Sequence, residues 1–231
     1  METIAQAHCS KDKTPRPYLS WSQLSLFEKD PNLYYQVYVE GLDQFRTKYL
    51  ELGKRMADVL ENGFDEEHDP MFEYIGVFMP AYPHREFQIP RLIDEGEKSG
   101  CKCSKCIARG IEKPIIFGGV SIYGKLDGFN DKTLTIGEYK TGKKWTQGMV
   151  DKADQLTFYA LLVWLRYKKF PKKIFLHWAR TDEDLEGNLK LVGEIKTFET
   201  KRRLADFILL SKRIKDAWEG INEMSKFVLD K

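Results

Sequence analysis

Apolar residues recur along this chain with two different periods, and the change from one to the other organises it. In SWSQLSLFEKDPNLYYQVYV (20–39), Leu24, Phe27, Tyr34, Tyr35 and Tyr38 keep helical spacing across an interruption at Pro31. Ser20 or Ser22 is placed to cap the start, so the stretch predicts two short helices joined at Asp30-Pro31. KYLELGKRMADVLENG (48–63) predicts another helix, with Leu52, Met56, Val59 and Leu60 as its apolar face and Gly63 as its stop. Residues 64–83 are acidic, then aromatic and punctuated by proline, and no element is assigned to them.

From residue 84 the period shortens to that of strands: HREFQIPRL, PIIFGGVSIYGKLDGF, a turn at Asn130-Asp131-Lys132, and TLTIGEYKT. A helix is then predicted over 149–167, a strand over 172–181, a turn at DEDLEGN and a strand over 189–198. A long amphipathic helix follows from Thr200, with Leu204, Phe207, Ile208, Ser211, Ile214, Trp218 and Ile221 on one side. Helices, sheet, helix, more sheet and a closing helix predict an α/β fold in which helices flank a central sheet, without the regular alternation of a dinucleotide-binding fold.

Length and composition agree with one globular domain over 18–231 after a flexible segment, 1–17: the 231 residues are 42% hydrophobic and 13% aromatic, enough to bury a core. No apolar run approaches the roughly 20 residues a bilayer span needs, so no membrane partner is expected. The N-terminus has no signal-peptide centre, and the expected compartment is the cytoplasm of a bacterium or an infected host cell. A net charge of +2 neither favours nor excludes a polyanionic partner, which leaves the placement of the cations to decide.

The chemistry concentrates in GKLDGFNDKTLTIGEYKTGK (124–143). Residues two apart on a strand share a face, so Glu138 and Lys140 project together, and an antiparallel hairpin brings Asp127 of the preceding strand within carboxylate reach of Glu138. Two close carboxylates repel unless one is protonated or a cation lies between them, and a hard divalent ion such as Mg²⁺, with Mn²⁺ as a substitute, suits oxygen ligands of this kind. Lys140 beside such a site is expected to hold or deprotonate a water, its pKa pushed down by the metal and by desolvation. On spacing alone a solvated Glu/Lys hairpin is the commoner arrangement. The next helix adds Gln155 and Tyr159, one turn apart and on the same face, positioned to orient Lys140 or meet a phosphate.

In this order and spacing, Asp127, Glu138-Tyr139-Lys140 and Gln155-x-x-x-Tyr159 resemble the PD-(D/E)XK nuclease superfamily, in particular its RecB-like branch, which includes CRISPR-adaptation nucleases and phage recombination exonucleases. YLSWSQLSLFEKDPNLYY and the Gly53-to-Glu61 stretch resemble the branch's N-terminal helices, so the likeness spans most of residues 18–181. The resemblance implies a restriction-endonuclease-like core acting on single- or double-stranded DNA, most simply as an exonuclease in phage or mobile-element recombination, repair or processing. It further implies that Asp127, Glu138 and the backbone carbonyl of Tyr139 ligate the metal, that Lys140 positions the attacking water, and that Gln155 and Tyr159 support the site and the strand. Ala57 stands where the branch usually carries a metal-binding histidine, which leaves an all-oxygen ligand set to which Glu61, one helical turn on, can add a carboxylate. Leu126 takes the place of the proline in the family's name.

Further candidates lie around this core. Lys125, Lys143, Lys144 and Trp145 suit a groove that tracks a nucleic-acid backbone and stacks a base. KRR (201–203) at the start of the last helix reads as surface charge, in opposition to the helix dipole. The loop over about 99–110 carries Cys101, Cys103 and Cys106, which with Cys9, His8 or His84 as a fourth ligand are candidates for Zn²⁺; free loop cysteines are the alternative, and the resemblance argues against an iron–sulfur cluster, because relatives that hold one place three cysteines after the nuclease core and nothing after Cys106 is a cysteine. Two other classes of function remain open to these residues: a catalytically silent nucleic-acid-binding domain of the same fold, and a zinc-stapled module that docks a protein partner or a second copy.

Overall fold

Glycines opposite one another set the geometry at the centre of the structure, a computed structural model that describes residues 16–42, 47–63, 70–91, 114–142 and 144–229. Strands β1 (His84–Ile89), β2 (Ile115–Phe117), β3 (Val120–Ile122), β4 (Gly124–Asn130), β5 (Thr135–Gly142), β6 (Lys173–Glu183), β7 (Leu189–Leu191) and β8 (Lys196–Thr200) are interspersed with seven helices among the described residues. The chain groups into two compact units: Met1–Gln44, Gln88–Gly124 and Leu204–Lys231 in the first, Phe45–Phe87 and Lys125–Arg203 in the second.

The first unit holds α1 (Trp21–Lys29), α2 (Pro31–Tyr38), the β2–β3 hairpin and α7 (Leu204–Leu229). Ser20 caps α1, and Asp30 caps α2 by accepting the Leu33 N–H at 2.9 Å, with Pro31 at the first helical position, as the sequence predicts. Gly118 and Gly119 form the two-residue hairpin loop between Phe117 and Val120, both at positive φ, the conformation that such a tight connection favours. The long helix buries Phe207, Leu210, Ile214, Ala217 and Ile221, whereas Leu204 and Ile208, expected on its buried side, are exposed. Apolar residues run on consecutively through Ile208-Leu209-Leu210, and periodicity alone cannot choose between adjacent stripes of such a run.

The second unit is built on the mixed sheet, in the order β1-β4-β5-β6-β7 with β8 also paired to β6. β4 and β5 are antiparallel, β5 and β6 parallel, and α5 (Gln147–Asp151) and α6 (Asp154–Tyr167) make the crossover between the latter two. On one face, α3 (Lys48–Asn62) and α4 (Pro70–Phe78) pack Leu52, Met56, Val59, Leu60, Phe72 and Ile75 against Tyr139 and Ala179. α6, nearly all buried from Leu156 to Val163, packs on β5 as well. No helix among the described residues is long and apolar enough to cross a membrane.

Four sequence expectations change here. The helix over 149–167 is two helices broken at Lys152-Ala153, and Arg202 is the fastening. Rather than lying on the surface, Arg202 is 8% exposed and donates to the Val150 and Ala153 carbonyls at 3.0 Å each, to Thr157 Oγ1 at 2.7 Å and to Thr200 Oγ1 at 2.7 Å. The strand over 189–198 is also divided: β7 pairs with Thr181–Glu183 and β8 with Ile174–Trp178, and four residues, 192–195, bulge opposite two of β6, with Gly193 at φ 79°. Thr200 closes β8, and the last helix begins at Leu204.

Tyr82 lies across the Gly128–Gly137 pair, so closely that a Cβ at Gly137 would fall 2.3 Å from its ring. Its hydroxyl meets His177 Nε2 at 2.8 Å, and His177 Nδ1 meets Thr197 Oγ1 at 2.8 Å. Burial holds His177, 2% exposed, well below the usual imidazole value, at about 4. Between that value and about 6.5 the unfolded chain binds the proton and the folded chain does not, so stability is complete above about pH 6.5 and falls on acidification towards pH 4, by an amount on the order of 3 kcal/mol from this residue. Urea midpoints at pH 7.5 and pH 5 are expected to differ less in His177→Gln than in the wild type; an equal difference would place the acid sensitivity elsewhere. Gly137→Ala is expected to destabilise by ~1–3 kcal/mol through overpacking, with part of the loss recovered in the double variant that also carries Tyr82→Ala.

Candidate active site

The β4–β5 ladder ends at the glycine pair, and one step beyond it Asp127 comes up against Glu138 and Tyr139. Asp127 Oδ2 accepts the Tyr139 N–H at 3.0 Å, replacing a ladder bond with a side chain and fixing the carboxylate at the point where the strands part. Glu138, on a strand flanked by β4 and β6 and packed by helices, is only 1% exposed. Its Oε1 accepts from Lys140 Nζ at 2.5 Å, and its Oε2 is buried with no N–H or hydroxyl donor among the described residues, the Asp127 carboxyl being its acidic neighbour. A buried carboxylate oxygen left without a donor is expensive unless something electropositive meets it.

Lys140 also donates to Gln155 Oε1 at 3.0 Å, and Gln155 Nε2 donates to Tyr159 Oη at 2.9 Å. These two residues, one turn apart on α6, form a relay: Tyr159 orients the amide, and the amide oxygen and Glu138 together aim the ammonium. The break between α5 and α6 matters here, because it lets α6 start at Asp154 and places Gln155 in its first turn.

Electrostatics follow from this crowding. Burial, and then the charge of Asp127, raise the Glu138 carboxyl far above the usual range despite Lys140. Burial also raises Asp127, against the pull of Lys140 and the Tyr139 N–H. For Lys140 burial alone would lower the ammonium, but Glu138 and Asp127 outweigh it and hold the pKa above its ordinary value. With these anionic neighbours Lys140 is held as a cation, suited to holding and orienting a water; the lowering expected from the sequence presupposes a bound metal beside it.

These groups open into a cavity of about 320 Å³ lined by Asp127, Glu138, Lys140 and Gln155, and on its other side by Ala57 and Glu61 of α3. Glu61 is turned to a neighbour that sequence reasoning missed, Glu86 of β1, and partial burial together with Glu86 raises its carboxyl. Glu86 also pairs with Lys125. Glu86 is in the left-handed region, φ 49°, a conformation that disfavours a residue with a Cβ by roughly 1–2 kcal/mol. Only the irregular run HREF near a candidate site could have pointed to it, and a left-handed residue inside a strand leaves no composition signal. Among the described residues no group of three or more Asp, Glu, His or Cys is arranged to hold a metal. The donor set is the Asp127–Glu138 pair, a number of carboxylates that fits Mg²⁺, which retains waters as its other ligands.

Other candidates fall elsewhere. Lys125, Lys144 and Trp145 do not line the cavity. Lys143 and the zinc candidates Cys9, Cys101, Cys103 and Cys106 lie outside the described residues.

The sequence model of the PD-(D/E)XK nuclease superfamily matches residues 18–227, and the chain belongs to this superfamily. Its mixed sheet flanked by helices is the restriction-endonuclease-like fold of that class. Among solved structures, a protein from Eubacterium rectale provisionally named an exonuclease aligns over 98% of this chain and 83% of its own, at 11% identity and a TM-score of 0.48. No curated protein matches the sequence significantly.

Because the Glu138 carboxyl is raised, the folded chain keeps a proton there that the unfolded chain has released, so stability in EDTA is expected to fall as pH rises from about 5 towards about 8, and to fall less in Glu138→Gln. Urea denaturation measures this, and an equal fall in both proteins would contradict it.

Proposed function

We propose that the chain is a divalent-metal-dependent deoxyribonuclease that hydrolyses phosphodiester bonds. The observation that carries this reading is the convergence of Asp127, Glu138 and Lys140, with one buried Glu138 oxygen that has no donor among the described residues. Asp127 and Glu138 would hold Mg²⁺ or Mn²⁺, with the Tyr139 carbonyl beside them. When bound, the cation supplies Lewis-acid polarisation of a phosphate oxygen and lowers the pKa of a coordinated water.

The chain's own residues do the rest. Lys140, fixed by Glu138 and Gln155, presents its ammonium to the cavity, where it orients an attacking water and offsets charge that builds on the phosphate. Tyr159 sets the Gln155 amide so that its oxygen, not its nitrogen, faces Lys140. The half-buried setting of Lys140 keeps bulk water from screening it. The likeness to phage recombination and CRISPR-adaptation nucleases supports action at DNA ends, in recombination or repair.

Labelled single- and double-stranded DNA incubated with Mg²⁺ is expected to be cut, and EDTA to stop the reaction. Asp127→Ala is expected to abolish cutting, and Lys140→Ala to slow it by about 10²–10⁴-fold, with circular dichroism unchanged. DNA that stays intact under every metal, while still bound, would favour the silent binding domain. Mg²⁺ is also expected to raise the melting temperature of the wild type and not that of Asp127→Asn.

A further inference from the structure

Two consecutive residues of β1, Arg85 and Glu86, both line the cavity. Neighbours on a regular strand point to opposite faces, and the left-handed φ of 49° at Glu86 is what breaks the alternation. The two side chains then diverge in role. Glu86 is engaged by Lys125 and Glu61. Arg85 is exposed and has no hydrogen-bond or ion-pair partner among the described residues. Lys54 of α3 lines the same cavity, is exposed, and likewise has no such partner there. Two cations that pair with none of the described residues, in a cavity that also holds Glu61, Glu86, Asp127 and Glu138, are available to a ligand of opposite charge.

We infer that Arg85 and Lys54 are a phosphate-binding pair for the nucleic-acid strand, holding backbone phosphates beside the one that reacts, and that the left-handed turn at Glu86 exists to bring Arg85 to the cavity. The guanidinium can grip two phosphate oxygens at once, whereas Lys54 acts as a point charge. The Glu86–Lys125 pair occupies the carboxylate that would otherwise neutralise Arg85. Neither cation touches the Lys140 relay, so both serve binding rather than the chemical step. This inference rests on the nuclease reading and adds to it residues outside the family's motif.

The test is the salt dependence of binding and the split between KM and kcat. Anisotropy titrations of a labelled DNA strand with Ca²⁺ present, over a range of salt concentrations, are compared for wild type, Arg85→Ala, Lys54→Ala, Arg85→Lys and the control Lys172→Ala. Removing one cation that neutralises a phosphate lowers the slope of log K against log salt by about 1. Arg85→Ala and Lys54→Ala are expected to show that drop, with KM raised about tenfold and kcat within about twofold; Arg85→Lys keeps the slope, and Lys172→Ala matches wild type. Unchanged slopes in a wild type that binds and cuts DNA overturn the phosphate pair and leave the nuclease reading standing, as does a fall in kcat at constant KM. A wild type that neither binds nor cuts DNA overturns both.

Discussion

The site depends on two carboxylates held together in a place where they repel. Asp127 is tied by the Tyr139 N–H and Glu138 is buried at the centre of the sheet, so neither can swing into solvent to relieve the repulsion. Lys140 reaches one Glu138 oxygen, and the other has no donor among the described residues. The rest of the second unit serves to make this tolerable: a sheet covered by helices on its faces, a glycine pair that admits Tyr82, and a relay on α6 that keeps the ammonium in place. Stability given up in such an arrangement is typical of sites that bind a charge from outside.

The glycine pair connects the fold to the chemistry. Gly128 follows Asp127 and Gly137 precedes Glu138, and their lack of side chains lets the Tyr82 ring lie on the backbone beside the site. Tyr82 is held in turn by His177, which Thr197 of β8 orients. A chain of neutral hydrogen bonds thus runs across the sheet from its core to the residue that covers the hairpin. Arg202 plays the corresponding part at the helix break, donating to the Val150 and Ala153 carbonyls on its two sides and so bracing the point where α6, and with it Gln155, begins.

Much of this was legible in the residues alone. Strand periodicity placed Glu138 and Lys140 on one face, the Asn130 turn placed Asp127 opposite, and i, i+4 spacing put Gln155 with Tyr159; all are short-range consequences of backbone geometry. The caps at Ser20 and Asp30 and the apolar face of α3 were equally readable, because each depends on residues within one or two turns.

Tertiary structure decided what depends on partners distant in sequence. The KRR run has the composition of a surface, and only the carbonyls of residues some fifty positions earlier make Arg202 a buried residue. The direction of the Lys140 shift required knowing that two anions, not bulk water, surround the ammonium. The bulge between β7 and β8 answers to the register of β6, and the left-handed turn at Glu86 has no local signal; no local pattern encodes either. Sequence by itself determined most of the elements, though not their breaks or the helix Pro70–Phe78, and the identity of the candidate reacting groups, since these follow from local propensity and side-chain chemistry. Packing alone determined their burial, their charge and which cations stand beside them, since desolvation and pairing are properties of the folded neighbourhood.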